Sequence, residues 1–300
     1  MRTVLIAGGT GLVGTRLSEI LRDRGYKVIH LSRRQNLETE FPAYVWDVEK
    51  GTIDEVALRQ ADYIINLAGA GIADKRWTDA RKKLIIQSRT QSTALLGHFI
   101  KDKSLKIKAY LSASAIGFYG NRQDDIMTEE STAGNGFLVE STVEWEKYVN
   151  EISSLGIRTI ALRIGIVLTT KGGALEKMLI SFWFRLGVYF GNGKQWFSWI
   201  HIEDVCNMFV WAIENEKAQG TYNAVAPNAL TNFELTEAIS EAKGGGYLMI
   251  PTPVFALRLA MGEMADVVLS STRVSSKKVE NQGFRFQFRE ILPALRDLFK

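Results

Sequence analysis

The apolar positions of the chain change period in a repeating order. Thr3 to Ala7 is a short continuous apolar run of the buried-strand kind, and after a cluster of glycines Leu12, Leu17, Ile20 and Leu21 recur at helical spacing. Gly25 stands where a C-cap closes a helix, and Val28 to Leu31 form a second apolar run, so one strand, helix, strand unit is complete by Arg33. Tyr44 to Val48 and Tyr63 to Ala68 read as further strands with a short helix between them. A long helical segment from Trp77 to about Lys101 leads into a strand at Ala109 to Ser114, and helix Phe137 to Ser153 and strand Thr159 to Leu168 continue the alternation. Strands separated by helices in this way predict a parallel, doubly wound α/β sheet whose right-handed crossovers line up the post-strand loops along one edge.

After Leu168 the rhythm loosens. Gly172 and Gly173 open a helix to about Leu186, a Gly- and Trp-rich stretch runs from Gly187 to Trp199, Glu203 to Glu214 reads as a helix and Thr221 to Val225 as a strand. Helices are expected at Asn232 to Ala242, Val254 to Ala265 and Arg289 to Phe299, joined by Gly244 to Gly246 and a strand-like Phe284 to Phe286. There is no internal repeat and no low-complexity linker. The pattern predicts a large domain of about 1–170 plus 200–228 and a smaller, partly interleaved α+β domain of about 171–199 and 229–300 that carries the substrate.

Composition narrows the class without refining it. A hydrophobic share of 46% and a charged share of 23% are ordinary for a globular protein. No apolar run reaches the ~20 residues a membrane-spanning helix needs, and the start lacks the pattern of a signal peptide, so a cytoplasmic protein with no membrane partner is expected. The single cysteine, Cys206, rules out an internal disulfide and a thiolate zinc cluster, and reads as a small core residue on a helix; no metal site is expected. The pI is near 9.0 at a net charge of only +4, with Lys and Arg spread along the chain. The densest basic stretch, Lys101, Lys103, Lys106 and Lys108, reads as a solvated loop, so nucleic-acid binding rests on pI alone and is not expected.

The chemistry enters with the glycines. Gly8, Gly11 and Gly14 form G-x-x-G-x-x-G between the first strand and first helix, with Gly9 and Thr10 inside it. A dinucleotide pyrophosphate reaches a helix N-terminus only where no Cβ blocks it, and bare amides with the helix dipole then hold the charge. In a strand, turn, helix context this is the Rossmann-type fingerprint, and it nominates Gly8, Thr10, Gly11, Leu12, Val13 and Gly14. The second strand ends in Ser32, Arg33 and Arg34 with no acid before Glu38. A carboxylate there suits NAD and an arginine suits the 2′-phosphate of NADP, so NADP(H) is preferred over NAD(H), with Ser32 and Arg33 as the expected phosphate contacts and Arg34 beside them.

These residues resemble the short-chain dehydrogenase/reductase superfamily in its extended, sugar-nucleotide-epimerase-like form. Asp47-Val48 is similar to that family's acidic contact to adenine, Asn66-Leu67-Ala68-Gly69 to its N-x-A-G turn, and Ser112-Ala113-Ser114-Ala115 with Tyr119-Gly120 to the end of its fifth strand. His201-Ile202-Glu203-Asp204-Val205 is similar to its late H-V-x-D-V stretch. Arg76-Trp77, Ser88-Arg89, Trp145-Glu146, Arg163-x-Gly165 and Trp199 to Ile202 resemble one epimerase branch with a small C-terminal domain of undefined function. The resemblance implies an NADP(H) site that adds Leu67, Ala68, Gly69, Leu84, Arg89, Arg163 and Val167 to the residues above.

The sequence departs from that family at its centre. Active members carry Y-x-x-x-K after the fifth strand, and no tyrosine here has lysine four residues later; the aligned positions are Leu138 and Thr142, or Phe137 and Ser141. Proton transfer then falls to another group. Ser112 and Ser114 are the preferred candidates for substrate or carboxamide contacts, Tyr119 is a candidate donor, and Glu140, Glu144 and His201 are alternatives. Trp196 and Trp199, with Trp183, Phe184, Phe190 and Phe197, could stack on a base or sugar in an interdomain cleft. Three functions stay open: an NADP(H)-dependent oxidoreductase or epimerase on a small carbonyl or sugar-nucleotide, an NADP(H)-binding sensor or partner-binding protein without turnover, and a nucleic-acid binder. A homodimer is compatible with each.

Overall fold

The computed structural model describes all 300 residues. In the first part of the chain, β1 (Thr3–Ala7), α1 (Leu12–Asp23), β2 (Lys27–Ser32), β3 (Ala43–Asp47), β4 (Thr52–Ile53), α2 (Glu55–Gln60), β5 (Tyr63–Asn66), α3 (Asp79–Asp102), β6 (Ala109–Ala115), β7 (Ile126–Met127), α4 (Phe137–Ser153) and β8 (Thr159–Ile164) follow one another. Then come β9 (Ile166–Leu168), α5 (Gly173–Phe182), β10 (Leu186–Phe190), β11 (Trp196–Phe197), β12 (Trp199–His201), α6 (Ile202–Glu214) and β13 (Gly220–Ala224). The remainder is β14 (Leu230–Thr231), α7 (Asn232–Ala242), β15 (Leu248–Thr252), α8 (Val254–Met261), α9 (Asp266–Leu269), β16 (Arg273–Val274), α10 (Lys277–Asn281) and α11 (Ile291–Leu298).

Eight strands make one sheet in the order β13-β8-β6-β5-β1-β2-β3-β4, parallel throughout except for the short β4 against β3. Strand pleating sends alternate side chains to opposite faces, and both faces are covered. Val4 and Ile6 join Leu17 and Leu21 of α1 and Val205 and Phe209 of α6 in one core. Leu5 and Ala7 join Leu96 of α3 and Trp145 and Val149 of α4 in the other. This is the doubly wound Rossmann-type architecture that the alternating periods predict. Cys206 is fully enclosed in the first core, where burial pushes its thiol up. The chain leaves β1 toward one edge and returns through β5 to the other, so the crevice between the C-terminal ends of β1 and β5 is the topological switch point.

A third core of Leu168, Leu175, Phe182, Trp199, Leu235 and Leu295, among others, belongs to the second part of the chain. Here the structure differs from the sequence reading. The strand expected over Thr159–Leu168 breaks at Gly165, which passes so close to the Ser198 carbonyl that a Cβ would lie 2.4 Å from it; β8 stays in the main sheet and β9 turns to pair with β12. The helix from Gly173 stops at Phe182, and Leu186–Phe190 is instead a strand paired in parallel with Leu248–Thr252. Phe284 to Phe286 is not a strand: it is extended chain whose phenylalanines are buried, and the two following amides, of Gln287 and Phe288, donate to the enclosed Asp204 carboxylate at 2.7 and 2.9 Å. Gly262, in the left-handed region at φ 61°, ends the helix that was expected to continue to Ala265. No helix is long and apolar enough to cross a membrane.

Candidate functional site

The glycine turn occupies the switch point and is shaped by close approaches. Gly8 has φ 81°, and a Cβ on it would come within 2.9 Å of the Leu67 backbone; one on Gly14 would come within 2.3 Å of the Gly8 carbonyl. Gly11 caps α1 with no side-chain bond, and the first turn holds no acid, so the amides of Leu12 and Val13 head a dipole that neither the cap nor the first turn neutralises. Leu12 itself is partly exposed.

Gly9 has a reason that the motif does not contain. The ring of His30, the fourth residue of β2, lies under it, and a Cβ on Gly9 would meet the His30 ring at 2.3 Å. Ser18 Oγ donates to the Gly14 carbonyl at 2.7 Å and lies 2.8 Å from His30 Nε2, so the neutral ring must donate through that nitrogen. The loop therefore rests on a buried imidazole. His201 is equally enclosed: it caps α6 by accepting from the Glu203 amide at 3.1 Å and packs on Phe288, with its ring centroid 3.9 Å away.

Burial pushes both histidines down to about 4, against ~6.5 for an exposed imidazole. Between those values the unfolded chain binds more protons than the folded chain, so stability rises with pH across this window. Urea midpoints should climb from pH 5 to about 6.5 and then flatten, and His30→Asn should remove roughly half of that slope. A midpoint insensitive to pH over this interval would exclude neutral burial of both rings.

The facing wall is the turn after β5. Asn66 Oδ1 accepts from the Ala68 amide at 3.1 Å while its Nδ2 donates to Thr93 Oγ1 at 3.1 Å and Tyr110 OH at 3.2 Å, and Ser88 Oγ accepts from the Ala70 amide at 2.9 Å. Leu67, Ala68 and Gly69 thus present a fixed backbone. Arg89 on α3 reaches this turn with its guanidinium 5.4 Å from the Trp145 ring centroid, and its one bond is to the Ile85 carbonyl at 3.0 Å. No carboxylate balances it; burial, and then Arg81, push it down to about 10. Trp145 Nε1 beside it is buried without a partner. A cation and an orphan donor held together in this way suit a ligand rich in acceptors.

Two cavities flank these walls. A pocket of about 450 Å³ is lined by Gly9, Thr10, Ser32 and Arg34 among others. Its one acid, Glu40, is bridged to Arg22. Arg33 is exposed and outside that lining. Asp47 ends β3, where its carboxylate accepts from the amides of Glu49 and Lys50 in its own turn. Leu84 is exposed on α3, and Val167 packs on the first core.

The second cavity, of about 1500 Å³, lies between the main sheet and the C-terminal part, with Leu67 to Gly69, Arg89, Ser114, Leu138 and Trp196 in its lining. Of the two candidate serines, Ser114 lines it and Ser112 does not: Ser112 is wholly enclosed, and its Oγ donates to the Ala113 carbonyl. Tyr119 is also wholly enclosed. Its OH donates to Asn223 Oδ1 at 2.7 Å and accepts from Arg163 Nη1 at 3.0 Å, and burial pushes the phenol up. Arg163 is buried and lies outside the cleft lining. It forms a buried two-bond pair with Glu146, at 2.8 and 2.7 Å, and stacks on Phe118 at 3.4 Å. Glu146, which sequence reasoning used only as an alignment mark, also accepts from Ser114 Oγ at 2.6 Å.

Among the aromatic candidates, Trp196, Phe190 and Phe197 line the cleft. Trp199 is fully buried, with Nε1 donating to the Asn228 carbonyl at 2.8 Å, and His201 is the helix cap described above, so neither lines the cleft. Trp183 and Phe184 lie on the outer surface, 86% and 73% exposed. Glu140 lines the cleft, whereas Glu144 pairs with Lys147 at 3.8 Å.

A parallel sheet with a glycine loop at its switch point, a second fixed turn facing it and a cleft beneath a smaller C-terminal part defines a dinucleotide-binding Rossmann protein. The chain belongs to the NAD dependent epimerase/dehydratase family, whose model matches residues 4–225; a domain of unknown function, DUF1731, matches residues 252–298. It is 35% identical over 297 residues to the epimerase family protein YfhF of Bacillus subtilis, covering 98% of this chain and 97% of that one. Among solved structures, human epimerase family protein SDR39U1, determined with NADPH, superposes with a TM-score of 0.88 at 29% identity, covering 99% of this chain and 98% of that one. The nucleoside-diphosphate sugar epimerase of Corynebacterium glutamicum superposes with a TM-score of 0.80 at 33% identity, over 99% of this chain and 58% of that one.

Proposed function

We propose that the chain is an NADP(H)-dependent oxidoreductase or epimerase acting on a small carbonyl or sugar-nucleotide substrate in the interdomain cleft. The observation that carries the reading is the uncapped N-terminus of α1 set against the turn at Leu67 to Gly69, two walls whose approach leaves no room for a Cβ at Gly8. The amides of Leu12 and Val13 would hold the pyrophosphate, Ser32 and Arg34 the 2′-phosphate, and the 67–69 turn with Arg89 the nicotinamide end. The relative solved with NADPH supports the choice of coenzyme. Bound there, the coenzyme supplies or accepts a hydride.

Proton handling falls to Ser114. Because its hydroxyl proton is given to Glu146 at 2.6 Å, its lone pairs are left for the cleft. In the alcohol-oxidising direction Ser114 Oγ takes the substrate hydroxyl proton as its own passes to Glu146 Oε1, and the reverse returns it. A binding protein without turnover is the second reading, favoured by one observation: no phenol lines the cleft, Tyr119 being bonded away inside the protein.

Thermal shifts with NADPH, NADP⁺, NADH and NAD⁺ test the cofactor assignment. At a hundredfold excess over the dissociation constant a ligand stabilises by ~2.7 kcal/mol, and NADP(H) should do so at lower concentration than NAD(H). Arg33→Ser combined with Arg34→Ser should cost NADPH about 10- to 100-fold in affinity and leave NADH unchanged. Equal response to phosphorylated and unphosphorylated coenzymes in the unaltered protein would count against the phosphate assignment, and silence to all four would remove the reading.

A further inference from the structure

Two of the three cations that line the large cleft are paired with carboxylates before any substrate enters it. Its ionisable lining residues are Lys82, Arg89, Glu140, Arg258, Glu263 and Asp266. Lys82 is bridged to Glu263, and Arg258 to Asp266 at 3.1 Å. With Arg89 assigned to the coenzyme end, the half beneath the C-terminal part holds no unpaired cation and one unpaired carboxylate, Glu140.

Three hydroxyls and one amide of that half are bonded to backbone carbonyls. Thr272 Oγ1 donates to the Gly120 carbonyl at 2.7 Å, Ser198 Oγ to the Thr272 carbonyl at 2.9 Å, and Thr142 Oγ1 to the Leu138 carbonyl at 2.8 Å. The Gln195 amide donates to the carbonyls of Phe190 and Val268 at 3.2 and 3.1 Å. Asn121, Asn135 and Asn192 also line the space, beside a larger apolar surface. Trp77 and Phe137 meet edge to face at 4.8 Å, and Leu138, Val267 and Leu269 add aliphatic surface. Trp196 adds its ring, with Arg273 4.2 Å from the centroid and outside the lining.

We infer that this half of the cleft takes an uncharged carbonyl compound, or the corresponding alcohol, with a ring-sized apolar body, and not a nucleoside diphosphate sugar. A diphosphate would have to leave water beside Glu140 with no unpaired guanidinium or ammonium in the lining of that half, and desolvated charge without a partner is strongly disfavoured. Phosphate sites are built on arginine forks, and both cations here are already committed. An uncharged ring replaces water on aromatic and aliphatic walls, which is favourable in proportion to the area covered. The inference rests on reading the cleft as the substrate site of a coenzyme-dependent enzyme and narrows the substrate class of that reading.

The test uses the full chain saturated with NADP⁺, so that an aldehyde has no hydride to accept and binding alone is measured. Coenzyme binding is established first by calorimetry; equilibrium dialysis then measures 2-naphthaldehyde and UDP-glucose. The aldehyde should bind at least ~10-fold more tightly than UDP-glucose. Val267→Asp should weaken the aldehyde by about 10-fold or more while NADP⁺ affinity is unchanged. Absent coenzyme binding defeats the underlying reading, and this inference with it. With coenzyme bound, the substrate class alone is overturned if UDP-glucose binds as well as the aldehyde, if the aldehyde is not retained, or if Val267→Asp leaves its affinity intact.

Discussion

Gly14→Ala is expected to abolish coenzyme binding beyond repair, whereas the loss caused by Gly9→Ala should be largely recovered by His30→Ala. The difference lies in what each new methyl group meets. At Gly14 the Cβ falls 2.3 Å from the Gly8 carbonyl and 2.7 Å from the Gly9 Cα, both backbone atoms of the loop itself. Relief requires the loop to open, which removes two or more amide bonds to a charged group, each worth roughly 1.5–3 kcal/mol, so the affinity falls by at least about 100-fold. At Gly9 the three atoms nearest the methyl all belong to the His30 ring, a side chain that can be removed. Gly9→Ala alone should lose a comparable factor, because overpacking at a closed site costs about 1–3 kcal/mol and displaces the same loop. The double substitution should return to within about 10-fold of the parent, the residual reflecting the lost Ser18 to His30 bond. Calorimetric titration with NADPH checks both, with circular dichroism showing that each variant folds. Recovery in a Gly14→Ala, His30→Ala pair, or none in the Gly9 pair, would contradict the loop geometry.

His30 also marks the limit of what the chain discloses before folding. The strand, glycine turn and helix were legible because their constraints are local: a Cβ-free turn and two hydrophobic periods within thirty residues. The support under Gly9 was not, since it joins β2 to a loop through packing that no spacing encodes. The small C-terminal part was read least well for the same reason. Leu186 looks like the end of a helix and Gly187–Phe190 like the start of a Gly- and Trp-rich stretch until Leu248–Thr252, some sixty residues on, pairs with them. Gly165 looks like an interior strand glycine until Ser198 is set against it. Arg163 did carry a usable signal. A basic residue in the middle of the buried run Thr159 to Ile164 must have an acidic partner, and Trp145-Glu146 on the preceding helix supplies one. Tyr119 and Ser112 were nominated from the family pattern, and the structure turns both away from the cleft because the same network and the Asn66 cluster enclose them.

Glu146→Ala should destabilise the fold more than any other single polar substitution in the cleft wall, by about 3–5 kcal/mol, or roughly 6–15 °C in melting temperature. The carboxylate accepts two bonds from Arg163 and one from Ser114, and the pair is nearly enclosed, at 6% and 11% side-chain exposure. Removing it strands a guanidinium between Phe118 and the Tyr119 hydroxyl. Ser114→Ala removes a single bond and leaves the ion pair whole, so it should cost about 1 kcal/mol. Replacing both charges, Glu146→Leu with Arg163→Met, should recover most of the stability, because a buried pair exchanged for apolar groups of similar volume is often neutral or better. The same double variant separates the two roles of Glu146. If the carboxylate only holds the wall together, the repacked protein keeps any turnover the parent has; if it receives the proton that Ser114 passes on, the repacked protein melts like the parent, binds NADPH like the parent, and loses about 10²- to 10⁴-fold in rate. Differential scanning calorimetry read beside single-turnover kinetics distinguishes these outcomes, and a double variant as unstable as Glu146→Ala would show that the network is held by more than its ion pair.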